Sequence, residues 1–86
     1  MPEISSFYGI RITINYADHL PPHFHAEYGD AEALININTL SLHKGALPAR
    51  ALRLVLTWAG LHQAALLSAW ANARLRRPLG KIPPLP

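Results

Sequence analysis

Apolar and polar residues alternate from Gly9 to Tyr16, with Ile10, Ile12, Ile14 and Tyr16 on one side and Arg11, Thr13 and Asn15 on the other. A period of two is that of a half-buried strand. The segment A-D-H-L-P-P that follows reads as a loop, because Pro21 and Pro22 cannot continue a hydrogen-bonded ladder. Alternation resumes in H-F-H-A-E-Y, where Phe24, Ala26 and Tyr28 form the apolar set and His23, His25 and Glu27 the polar one. Gly29-Asp30 predicts a tight hairpin turn. A third strand follows over Ala31 to Asn38, with Ala33, Ile35 and Ile37 inward and Glu32, Leu34, Asn36 and Asn38 outward. Leu40 to His43 and Ile4 to Phe7 are candidates for two further short strands.

After Lys44-Gly45 the period changes. Pro48 suits the first turn of a helix, and Leu52, Val55, Leu56 and Ala59 fall on one stripe of it. The helical pattern resumes through Leu61, Ala65, Leu66, Ala69, Trp70 and Ala73. A single helix from Ala49 to Leu75 would run about 40 Å and would overhang strands of about 20–27 Å. Gly60 weakens helix and offers a bend, so two helices, or one sharply kinked helix, are expected with the break at Gly60 to His62. From Pro78 the chain is proline-rich and extended, either a loose tail or a strap over a neighbouring surface. The expected division is one domain over residues 1–79 and a proline-rich tail over 80–86.

These elements predict an α+β fold: a small antiparallel sheet of three to five strands, packed on one face by the two C-terminal helices or their kinked equivalent. The other face then has no helix to cover it. It carries Arg11, Thr13, Asn15, His23, His25, Glu27, Glu32 and Asn36.

Composition narrows the chemistry. The chain has 86 residues, half of them hydrophobic, which makes one small domain for which oligomerisation is one source of added stability. With no cysteine there is no disulfide and no thiolate metal site. No basic segment followed by an apolar run marks a secretory signal, and charged residues interrupt the apolar region at Ala46 to Ala73, so no membrane association and a cytoplasmic location are expected. The formal charge is +3. Arg50 and Arg53 begin the helical region and Arg74, Arg76, Arg77 and Lys81 close the chain, which makes them the candidate nucleic-acid contacts. The same cations also suit the end of a helix dipole and solubility.

Three readings of the histidine face stay open. In the first, two imidazoles and a carboxylate hold zinc or ferrous iron. Same-face neighbours on a strand are about 7 Å apart, so His23 and His25 can share an ion while Glu27 lies too far from His23. Asp18, His19 or His43 then completes the set, and Asp18 is the preferred third ligand. In the second reading no cofactor is needed: His23 and His25 act as acid and base with Glu27 and Arg11 in support, as in metal-independent cleavage of RNA. In the third, sheet edge and tail form a surface for another chain. Phe7, Tyr8, Trp58 and Trp70 are its large side chains, the tryptophans being better placed for the core. His62 fits a cap or a structural histidine, and His43 a turn.

M-P-E-I-S-S-F-Y-G-I-R-I, D-H-L-P-P-H-F-H-A-E-Y-G and L-P-A-R-A-L-R-L-V-L-T-W-A-G-L-H-Q together resemble domain-of-unknown-function family 4160, from Met1 to about Leu79. P-P-H-F-H-A is the most specific part. Gln63, Ala64 and Ala65 depart from the charged residues common there. The resemblance implies no established activity. It does imply a partner, since such proteins are commonly encoded beside a small protein of domain-of-unknown-function family 2442, in pairs that look like type II toxin–antitoxin modules. A toxin-like component that binds its cognate protein, with RNA as a further ligand or substrate, is the expectation from that resemblance, with antitoxin or DNA-binding regulator as the alternative. The alanine- and leucine-rich Trp58 to Trp70 region does not look like a recognition helix.

Overall fold

A computed structural model describes residues 2–86. The first two strands, β1 (Glu3–Phe7) and β2 (Ile10–Thr13), join through Tyr8 and Gly9, both at positive φ (50° and 80°). That pair of conformations gives a two-residue turn whose twist matches the strands. β3 (His23–Tyr28) and β4 (Ala31–Asn36) join through Gly29, at φ 58°, and Asp30. β5 (Ser41–Gly45) completes a five-stranded antiparallel sheet in the order β1-β2-β3-β4-β5. Every strand thus pairs with its neighbour in sequence. Helices α1 (Ala49–Leu61) and α2 (Gln63–Arg74) follow, and the α+β architecture is as the sequence predicts.

The inward set is Ile10, Ile12, Ile14, Phe24, Ala26, Ala33, Ile35 and Ile37, all buried. Tyr16 and Tyr28 depart from the alternation and are exposed. For Tyr16 the reason is that β2 stops at Thr13; Ala17 then turns at φ 52° and donates its N–H to the Ala73 carbonyl of α2. Tyr28 stands beside the β3–β4 turn, past the edge of the core. Trp58 of α1 fills the centre of the core, its ring 5.3 Å from Phe7 and 5.7 Å edge-on to Phe24.

The buried stripe of α1 is Ala51, Val55, Trp58 and Ala59, not Leu52 and Leu56, which are half-buried. Turning Trp58 inward rotates the helix, and the indole buries more area than either leucine. Pro48 sits just before the first helical residue rather than within the first turn. The break falls at His62, where φ is −126°, and α1 and α2 meet at 86°. Gln63 fixes this bend by donating its amide N–H groups to the Ile37 and Asn38 carbonyls (2.8 and 3.2 Å).

Pinned there and at Ala73, α2 crosses the ends of the strands. Its Trp70 ring lies 5.2 Å from the ring of His23. The polar face is therefore not wholly open: His23 is only 5 % exposed, and Thr13 is fully buried on the same face. Residues 78–86 have no regular secondary structure but are anchored to the domain, with Leu79 and Leu85 half-buried. Ile82 is buried and donates its N–H to the Ile4 carbonyl, Trp58 Nε1 donates to the Pro83 carbonyl, and Lys81 Nζ to that of Glu3. No single helix among the described residues is long and apolar enough to cross a membrane.

Candidate metal centre

The loop between β2 and β3 and the start of β3 build one cluster. The Asp18 carboxylate accepts the His19 backbone N–H on Oδ1 at 2.8 Å, which fixes the carboxylate in the loop. Its Oδ2 lies 3.1 Å from His23 Nε2, 3.5 Å from His25 Nε2 and 3.4 Å from Asn15 Nδ2. One ligand atom each from Asp18, His23 and His25 falls within 4.8 Å of the others. A tetrahedral ion with bonds of about 2.0–2.1 Å has ligand atoms about 3.3 Å apart. The two carboxylate–imidazole distances bracket that value.

The opposite ring nitrogens decide which way the lone pairs point. His23 Nδ1 lies 2.8 Å from the Pro21 carbonyl oxygen, which only accepts, so Nδ1 carries the proton. His25 Nδ1 lies 3.2 Å from Glu32 Oε2 and donates to it in the same way. In the neutral ring, Nε2 is then the bare nitrogen, and Asn15 Nδ2 at 3.3 Å from His25 Nε2 is a donor suited to it. Both Nε2 atoms thus converge on one carboxylate oxygen, and between each nitrogen and that oxygen stands either a proton or a metal ion that replaces it. Lone pairs repel one another at such distances unless a cation, metal or proton, stands between them. An oxygen acceptor on the far nitrogen is also the usual support of a metal-bound histidine.

Burial pushes the Asp18 carboxyl up, but the His19 N–H bond and the two imidazoles outweigh it and hold the group below its ordinary value of 3.8. The carboxylate is therefore charged at neutral pH, as a ligand must be. A cleft of about 320 Å³ opens over the cluster, lined by Asn15, Asp18, His19, Leu20, His23, His25, Leu34, His43 and Lys44.

Of the residues singled out from the sequence, this brings His23, His25 and Asp18 together, with His19 and His43 on the same cleft and the His43 ring 6.3 Å from that of His23, and leaves Arg11, Glu27 and the basic residues of the helix ends and tail apart. Arg11 and Glu27 face each other across β2 and β3 in a 3.3 Å ion pair outside the cleft lining. Arg50 and Arg53 are exposed on the first turns of α1, Arg74, Arg76 and Arg77 are exposed at the end of α2, and none of them lines the cleft. Lys81 is tied to Glu3. Glu32, Asn15 and Trp70 were not legible as partners of the histidines, although counting back from the two-residue turn puts Glu32 opposite Glu27, one step diagonally from His25.

No curated protein and no solved structure matches the chain. A family profile described as "Domain of unknown function (DUF4160)" matches residues 9–71, which includes the whole cluster. With well over half of its length matched, the chain belongs to that family.

Proposed function

We propose that this chain is a metal-binding domain that holds one divalent transition-metal ion, zinc or an ion of similar preference, on Asp18 Oδ2, His23 Nε2 and His25 Nε2. The observation that carries this reading is the direction of the imidazoles. Each histidine gives its Nδ1 proton to an oxygen acceptor and turns Nε2 on the same carboxylate oxygen. Two imidazoles and one carboxylate leave positions free on the ion, as in sites where a metal binds water or substrate. The cleft supplies access to those positions. Metal analysis after dialysis tests this: about one zinc per chain is expected for the wild type, and far less for His23→Ala/His25→Ala of unchanged circular dichroism. Equal zinc in both proteins would refute it.

A second reading concerns partners. α2 carries no charged residue from Gln63 to Ala73, and it leaves Leu67 exposed with Leu61 and Leu75 at its ends. An apolar helix face suits a cognate small protein, as the family resemblance implies, and a toxin-like role would run through that contact. Co-expression with the neighbouring gene product, compared with a Leu67→Glu variant, tests it. Complex formation lost in the variant supports the contact, and complex formation unaffected by it argues against that face.

A further inference from the structure

Strand alternation does not account for the edge of the cleft. β4 and β5 pair Leu34 with Lys44 and then Ile35 with Leu42, so His43 is the unmatched residue of a bulge. In an unbroken strand His43 and Lys44 would face opposite sides of the sheet. Here both line the cleft with Asp18, His23 and His25. Gly45 ends the strand at φ 78°, and a side chain there would collide with the Glu32 carbonyl oxygen, so the close approach of β5 to β4 depends on glycine.

Lys44 belongs to a row of directly paired residues, Thr13, His25, Leu34 and Lys44, on four neighbouring strands. At about 4.8 Å per strand, its backbone lies about 10 Å from that of His25. Lys44, Leu34 and His25 all line the cleft, with Leu34 between the other two in the row. Lys44 takes part in no ion pair among the described residues. Among the described residues the only carboxylate lining the cleft, Asp18, already faces two imidazoles. With a divalent ion on the triad, the cleft is net positive and its second cation is unmatched.

We propose that the cleft binds a phosphoryl group, one oxygen on the metal ion and another facing the Lys44 ammonium. The inference rests on the metal-binding reading above. A metal ion and a lysine that line one cleft complement a group with several anionic oxygens. Leu20 and Leu34 offer an apolar wall to whatever the phosphoryl group is attached to.

The test uses the full chain loaded with cobalt(II), whose visible absorption reports coordination. Inorganic phosphate and the dinucleotide UpU are the two probes, which separates a free phosphate from a phosphodiester; binding of either supports the proposal. Wild type and Lys44→Ala are both expected to take up one cobalt. At least one probe is expected to perturb the wild-type spectrum saturably, about tenfold or more weakly in Lys44→Ala, with partial recovery in Lys44→Arg. Cobalt bound with neither probe perturbing it, or with equal probe affinity in Lys44→Ala, overturns the phosphoryl site alone. No cobalt bound by the wild type overturns the metal reading and this inference with it.

Discussion

Replacing Gly45 by alanine perturbs a residue at which β5 passes close to β4, next to the cleft-lining His43 and Lys44. The backbone there is at φ 78°, and an added Cβ would meet the Glu32 carbonyl oxygen well inside contact distance and the Ala33 Cα at 3.1 Å. Left-handed backbone costs a non-glycine residue about 1–2 kcal/mol. The collision is with backbone of the neighbouring strand, which cannot turn aside. Relief requires β5 to move, weakening bonds such as Ala46 N–H to the Glu32 carbonyl (3.1 Å), at about 1 kcal/mol for each bond lost. The expected destabilisation is about 2–4 kcal/mol, or a fall in Tm of roughly 10–25 °C for a domain of this size. Gly29→Ala is the control. Its φ of 58° carries the same backbone strain, but nothing lies within 4 Å of the new Cβ. Thermal and urea unfolding followed by circular dichroism compare the two. If Gly45→Ala is no more destabilising than Gly29→Ala, the close β4–β5 approach is not what holds the edge of the cleft.

The Asp18 carboxyl, held below 3.8 in the folded chain, contributes stability that is fully present above that pH and is lost as pH falls through the lower folded value. Asp18→Asn is therefore expected to flatten the acid side of the stability curve, and urea midpoints between pH 2.5 and 6 check it. Ile82 is buried and bonded to Ile4, so Ile82→Ala should cost about 2–4 kcal/mol and speed tryptic cleavage after Arg76 and Lys81, whereas a loose tail would show neither effect. Gly60 lies in helical conformation with open space around it, so Gly60→Ala should raise stability by about 0.5–1 kcal/mol in the same unfolding assay.

The central strands were legible because β2, β3 and β4 alternate and successive strands pair, so local pattern and global topology agree. The break near Gly60 to His62 was legible from the length of the helical pattern together with Gly60 inside it. Asp18 was within reach as a third ligand because strand spacing excludes Glu27 from an ion held by His23. The cover over His23 was not legible. It depends on the 86° turn of α2, set by Gln63 reaching carbonyls of the β4–β5 loop, and no periodicity records a contact so distant in sequence. The placement of Lys44 was hidden for a related reason: a bulge is a property of two paired strands, and in β5 alone His43 and Lys44 read as a turn. The tail read equally well as loose or packed, since proline sets its extended shape but not what it lies on. Trp58 was expected in the core, yet the side of α1 that turns inward followed the indole and not the leucines.

X-ray absorption at the zinc edge of the zinc-loaded chain tests the central claim most directly. The predicted spectrum has a first shell of nitrogen and oxygen at about 2.0–2.1 Å, with outer-shell scattering from two imidazoles, and loses the imidazole pattern in His23→Ala/His25→Ala. A zinc shell without imidazole scattering in the wild type, or one unchanged in the double variant, would contradict the assignment of Asp18, His23 and His25 as the metal ligands.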